Sequence, residues 1–410
     1  MSFISENKFY YLPFGLVLLF ICSSVLDQMV PILENFLIIL MCIVVIIEVS
    51  TIDSEIILKK SQFVILAIYT LTLVVSLLRA LTAATTWFNI RFSIVMVPFV
   101  VVGYLSATKL SNPKRLHIIL LLLSLLTSLI GYLSLLNLYI ELPISAPIGP
   151  ARALGGFKFP TRRTLGIQMA YANYGMLAGL TLPYVILLGV RPSLFEMKKL
   201  KTRYKYAIIW IITGTSIGLI ILQSRSTLIS ITFLIIAAIF ISGLHPNPLW
   251  RIKNRVVPIS VILFGGTLLI INLPELIDIL LSPNEGASLP RVRQYKTALR
   301  VIQEAPLLGK GWGFPLYSMN IRMSIHNFWL RLGASAGIPI MVAWGLVHVL
   351  LFRELVRGTT CLRRQISAFN LVGLFGFLSL TIELMLFPGL NAVHIAVMSI
   401  LLSIIGLEPD

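Results

Sequence analysis

The stretch ILQSRSTLISITF, residues 221–233, sets a guanidinium between two long apolar runs, Tyr206 to Leu222 and Thr227 to Gly243. A helix needs roughly 20 apolar residues to cross the hydrocarbon core, so each run is about long enough to span and the joint carrying Arg225 lies at a membrane face. The same pattern recurs along the chain. Of 410 residues, 57% are hydrophobic and 12% charged, and the mean hydropathy is +0.93. Such a composition excludes a water-soluble globular protein. Backbone groups inside lipid must find their partners within their own segment, which selects helices. The expected fold is therefore all-α, a polytopic transmembrane bundle forming a single integral membrane domain over 1–410.

About 12 spans are expected, at roughly 20 residues each. They begin near Tyr11, Leu33, Gln62, Phe92, Leu116, Met169, Tyr206, Thr227, Pro258, Leu332, Phe369 and Leu390. Lys8 precedes an apolar run without a small-residue cleavage pattern, so the first span is expected to be a retained anchor. Cys22, Cys42 and Cys361 show neither a disulfide framework nor a CxxC spacing. HExxH, P-loop, GxGxxG and DxD motifs are also missing from the sequence. Chemistry without a metal or cofactor is expected.

Short basic loops set the orientation. Lys59 and Lys60, Lys109 to Arg115, the run KKLKTRYK at 198–205, RIKNR at 251–255, and Arg353 to Arg364 fall in alternate loops. By the positive-inside rule these loops and both termini face the cytoplasm. Two longer segments, 139–168 and 274–330, then face outward, yet they carry Arg152, Lys158, Arg162 and Arg163, and Arg291, Arg293, Lys296, Arg300, Lys310 and Arg322. That excess opposes the orientation rule. Contact with anionic headgroups is one account of it. The preferred one is a site for a polyanionic ligand, because arginine presents a planar fork that matches phosphate. Membrane lipids are expected partners, and nucleic acid is not.

Within the second outer segment, PRVRQYKTALRVIQEAP opens and closes on proline and predicts an amphipathic helix near 290–305. At about 100° per residue, Val292, Tyr295, Ala298, Leu299 and Ile302 share one face, with Arg293, Lys296 and Arg300 roughly opposite. Arg291 falls with the apolar residues, where a cation needs an anionic partner. The glycines of LLGKGWG, 307–313, predict a tight turn or a close backbone approach to a ligand. His326 then stands where this loop meets the next span; a lone histidine is commonly structural, but one beside an arginine-rich loop at a membrane face can take a proton as a general base. Asn327 is placed to orient it or to bind a sugar hydroxyl. Glu383 and His394 are ionisable groups inside apolar spans near the same face, either functional or holding the bundle together by pairing with arginine.

Four stretches together resemble the O-antigen ligase and O-antigen polymerase superfamily of bacterial membrane glycosyltransferases. They are QSRSTL around Arg225, RVRQYKTALRVIQEAPLLGKGWG from Arg291, HNFWLRLGASAGI from His326, and RTLGIQMAYANYGMLAGLTLP from Arg163. Tyr295 stands where tryptophan is frequent in the family. The helical wheel and the step to Tyr295 favour Arg291 over Arg293 as the family's arginine. The resemblance implies a multi-pass protein of the bacterial inner membrane with its active site facing the periplasm. It implies metal-independent, inverting transfer of a glycan from an undecaprenyl diphosphate-linked donor to the lipid A-core. Arg225, Arg291, Arg163 and Arg293 would bind the diphosphate, His326 would be the catalytic base, and Asn327, Glu383 and Tyr295 would support them. Two alternatives stay open: a polymerase whose acceptor is a second lipid-linked glycan, and a lipid-oligosaccharide flippase or transporter. A transporter is expected to carry its charges along a midplane cavity rather than at one face.

Overall fold

The computed structural model describes residues 58–82, 112–139, 145–148, 162–165, 172–195, 202–222, 288–311, 327–359, 364–386 and 392–407. Spans expected near Tyr11, Leu33, Phe92, Thr227 and Pro258, together with Arg225 and His326, lie outside the described residues. Nine α-helices are present among the described residues: α1 Lys60–Thr82, α2 Pro113–Tyr139, α3 Ala172–Val190, α4 Thr202–Leu222, α5 Ser288–Glu304, α6 Phe328–Ala336, α7 Ile338–Thr359, α8 Arg364–Leu386 and α9 Ala392–Ile405. Four of these contain segments long and apolar enough to cross a membrane, Lys60–Leu78, Pro113–Leu136, Ile338–Thr359 and Gln365–Leu384. The molecule is a helical membrane protein.

The helix starts are encoded locally. Asn112 precedes Pro113, and its Oδ1 accepts from the amides of Lys114 at 3.0 Å and Arg115 at 3.5 Å. This pairs a side-chain cap with a proline whose missing N–H needs no partner in the first turn. At α1, the Lys59 amide donates to Gln62 Oε1 at 3.0 Å, while Gln62 Nε2 donates to the Leu402 carbonyl at 2.9 Å. Lys59 Nζ reaches the carbonyls of Ile405 and Leu407, each at 2.9 Å. The start of α1 thus closes the open end of α9. Within the helices, Thr72, Ser76, Ser124, Thr127, Ser134, Thr181 and Ser403 donate to the carbonyl four residues back. Hydroxyls satisfied this way need no water inside the bundle.

Two packing centres hold the described helices. In the first, α2 and α4 approach so closely that a Cβ on Gly131 would strike the Gly214 carbonyl, and the Tyr174 hydroxyl of α3 donates to the Thr127 carbonyl at 2.8 Å. In the second, fully buried Trp344 of α7 stacks on Tyr69 at 5.2 Å and donates Nε1–H to Thr72 Oγ1 at 3.0 Å. That bond satisfies both the indole and a hydroxyl of α1, as a buried Trp requires.

Two features depart from the sequence reading. The segment 139–168, expected as an outer loop, holds an antiparallel two-stranded ladder, β1 Ser145–Ile148 with β2 Arg162–Leu165, a short addition to a helical fold. No alternation of apolar and polar residues announces strands this short, and β2 packs against α2. The span expected to begin near Leu332 begins at Ile338 and is preceded by the short helix α6, which forms a hairpin with it. Gly337, at φ 92°, ends α6, and α7 starts at the next residue. Phe328 of α6 meets Trp344 of α7 at 5.3 Å and Trp329 meets His348 at 4.8 Å. Residues so far apart in sequence touch only because α6 folds back along α7. A left-handed φ is open to glycine at little cost, which is why the reversal falls there.

Candidate functional site

The candidate site is built on α5 and α6, which pack against one another through a small apolar cluster. Ala298 and Val301 of α5 and Ala334 of α6 are fully buried there, Ile302 nearly so, and Tyr295 and Leu330 pack at its edge. The wheel is corrected at one position: Leu299, expected on the buried face, is 51% exposed. The buried stripe is centred on Gln294, Ala298 and Val301. It is narrow because α6 offers small residues; a Cβ on Gly333 would lie 2.9 Å from Ile302 Cδ1. Lys296 and Arg300 are exposed on the other side.

Beyond Glu304 the chain turns through Pro306–Gly311 and fastens α5 to the tip of the hairpin. The Lys310 amide donates to the Ala334 carbonyl at 2.8 Å, the Gly311 amide to the Ser335 carbonyl at 2.9 Å, and the Ile338 amide to the Pro306 carbonyl at 2.7 Å. The last carbonyls of α6, which have no partner within their own helix, are therefore capped by the loop. Two glycines permit this. Gly309 has φ 61° and Gly337 φ 92°, and a Cβ on either would collide with the opposing backbone, Ser335 and Ala336 for Gly309, Leu307 for Gly337. The LLGKGWG glycines thus serve a close approach, among the described residues to the helical hairpin. Lys310 Nζ pairs with Glu304, which also lies 3.8 Å from Arg300. The Lys310 hydrogen bond holds the Glu304 carboxyl below the usual carboxylate range.

The polar residues take the following places. Asn327 caps α6, its Oδ1 accepting from the Leu330 amide at 3.0 Å; its side chain is thus a helix cap as well as a neighbour of position 326. Arg291 and Arg293 lie in the first two turns of α5. Arg163 lies in β2, its backbone opposite Pro147. Tyr295 sits half-buried at the α5–α6 contact. Glu383 on α8 and His394 on α9 are fully buried. Phe377 of α8 meets His348 of α7 at 5.7 Å, and Glu383 lies about 9 Å further along α8 at 1.5 Å rise per residue. Glu383 is therefore roughly level with the Trp344–Phe328 contact, at the start of α6, and α6 packs on α8.

Arg331 was not singled out from the sequence. It lies half-buried on α6, its amide bonded to the Asn327 carbonyl at 3.0 Å. Its signal was available: a guanidinium within FWLRLGASA, where every neighbour is apolar or small. The fold-back of α6 makes it a residue of the bundle rather than of a loop edge.

Residues 208–345 match the family model described as O-Antigen ligase. The match supports the O-antigen ligase superfamily and a ligase- or polymerase-type membrane glycosyltransferase. It takes in Arg225, the whole of α5 and α6 and the first turns of α7; Arg163 and Glu383 fall outside it. No curated protein matches the chain.

Proposed function

We propose that this protein is an O-antigen ligase-type glycosyltransferase that moves a glycan from undecaprenyl diphosphate to the lipid A-core, at the periplasmic face of the inner membrane. The observation that carries this reading is the coincidence of the family match with the α5–α6 pair. Tyr295 and Leu330 pack at the edge of one cluster; Arg291 lies one turn before Tyr295 in the sequence of α5, and His326 directly precedes Asn327, the cap of α6, in the chain. In this reading a diphosphate ligand and a base come from the stretches that lead into these two adjoining helices.

In this mechanism Arg225 and Arg291, helped by Arg163 and Arg293, neutralise the diphosphate through charge-assisted, forked hydrogen bonds. His326 accepts the proton of the acceptor hydroxyl as its oxygen attacks the anomeric carbon. The bond from that carbon to the phosphate oxygen breaks, and undecaprenyl diphosphate leaves with the electron pair. A single direct displacement inverts the anomeric configuration. No separate general acid is required, because a neutralised diphosphate is a good leaving group. Asn327 caps α6, while Glu383 and Tyr295 support the two helices.

The reading is tested in a deletion strain by polysaccharide gel. Loss of all attached polymer, with glycan accumulating on the carrier, is expected. A core capped by one repeat would instead identify a polymerase. In reconstituted membranes, His326→Ala is expected to bind the carrier-linked donor and to transfer its glycan about 10²- to 10⁴-fold more slowly, the usual contribution of positioned proton transfer. Wild-type transfer by that variant would remove His326 as the base. Transport is the weaker reading, since the break at Gly337 is filled by the backbone of 306–311.

A further inference from the structure

We infer that Gly309 and Gly337 are positioning residues: the backbone clasp they permit fixes the register of α5 against α6, the pair of helices on which the proposed transfer depends. This rests on the roles given above to Arg291 and His326. The clasp is reciprocal. Two amides of the loop, Lys310 and Gly311, donate to α6, and one amide of the hairpin, Ile338, donates back to the loop at Pro306. It joins the C-terminal end of α5 to that of α6, so both helices run out from it in the same general sense. The apolar cluster beyond it is small, with Ala298 and Ala334 as two of its four buried members. Alanines facing a glycine interlock weakly and allow the helices to slide or rotate, whereas three short backbone bonds at fixed carbonyls do not.

Lys310 directs its ammonium to Glu304 on α5 itself, within its own helix–loop unit. The clasp itself depends on backbone groups that only glycine brings near enough. A Cβ at 309 or 337 meets carbonyl and peptide atoms rather than the end of a flexible side chain, and both positions have φ in the left-handed region. The loop must then lift from the hairpin tip. Each helix keeps its own fold, but the register between them is no longer held. Near-attack geometry is sensitive to errors of about 1 Å, which cost on the order of 100-fold in rate.

The test uses the full-length protein in proteoliposomes with undecaprenyl diphosphate-linked glycan extracted from the cells that make it. Binding of the donor, single-turnover transfer and the fraction of folded protein are measured separately. Gly309→Ala and Gly337→Ala are expected to keep donor affinity within about twofold and to lower transfer per folded molecule by about 10- to 100-fold. Gly345→Ala is the control, because a Cβ there meets nothing within 4 Å, and it is expected to match wild type. Ile338→Pro serves where the alanine variants fold poorly. It removes one donor of the clasp at the first residue of α7, where proline fits a helix, and is expected to slow transfer about 3- to 10-fold, the equivalent of one hydrogen bond. Wild-type transfer per folded molecule in the glycine variants and in Ile338→Pro overturns the inference, as does a loss confined to folded fraction or to donor binding. Intact transfer in His326→Ala would instead sink the functional reading, so the two failures are told apart.

Discussion

Arginine at positions 225 and 291 is expected to act as a fork rather than as a charge. A hydrogen bond to an ionised group contributes roughly 1.5–3 kcal/mol, so Arg225→Ala and Arg291→Ala should each lower turnover by about one to two orders of magnitude. Lysine should restore part of it, since a point charge cannot bind two oxygens in a plane. Arg293→Ala should cost little if the sequence wheel, which turns it from the apolar face, is right, since surface charge contacts contribute roughly 0–1 kcal/mol. Transfer assays with matched protein abundance decide this, and a dead Arg293→Ala beside an active Arg291→Ala would reverse the assignment. Glu304 gives a pH-dependent counterpart. Its carboxyl is held below the usual range by Lys310, so the ion pair stabilises the folded loop fully above the ordinary carboxylate value and loses that contribution as pH falls through the lowered one. Amide protection across 305–311, corrected for the intrinsic pH dependence of exchange, should fall on acidification in the wild type, and Glu304→Gln should flatten that dependence; identical profiles would show the pair to be without effect.

Helix rotation is decided one level up. The sequence pattern of α5 was legible enough to place a helix, and the basic residues Lys296 and Arg300 are exposed as the wheel requires. Leu299 was not legible, because an apolar stripe of five residues on a wheel covers more than the small α6 surface can bury. Gly333 and Ala334 admit Ala298 and Ile302 and leave Leu299 half in the open. Leu299→Ala should therefore change stability by no more than about 0.5 kcal/mol, as surface changes usually do. Ala298→Leu should destabilise by about 1–3 kcal/mol through overpacking. Thermal unfolding in detergent separates the two, and a larger loss at 299 than at 298 would contradict this packing. The α6–α7 reversal was illegible for a different reason. Continuous hydropathy across Gly337 reads as one span, since hydropathy registers length and polarity but not direction.

At the scale of the whole molecule, Trp344 ties α1, α6 and α7 into one body through Tyr69, Thr72 and Phe328. Trp344→Ala should cost about 3–5 kcal/mol as a cavity forms, and Trp344→Phe about 0.5–1.5 kcal/mol for the hydrogen bond to Thr72. Equal stability of both variants and wild type, read from unfolding of purified protein, would show that the bundle does not depend on this centre. The membrane class, the helices from Lys60, Pro113, Thr202 and Arg364, and the stretches that resemble the O-antigen ligases were determined by sequence alone. Hydropathy and capping act over one or two helical turns, and a motif is a pattern of neighbours in the chain. The clasp of 306–311 on α6, the fold-back that brings Phe328 to Trp344, the pairing of Arg163 with Pro147 and the level of Glu383 were decided only by tertiary structure. Each depends on backbone groups or small residues meeting partners distant in sequence, and side-chain chemistry along the chain carries no record of which carbonyl an amide will find.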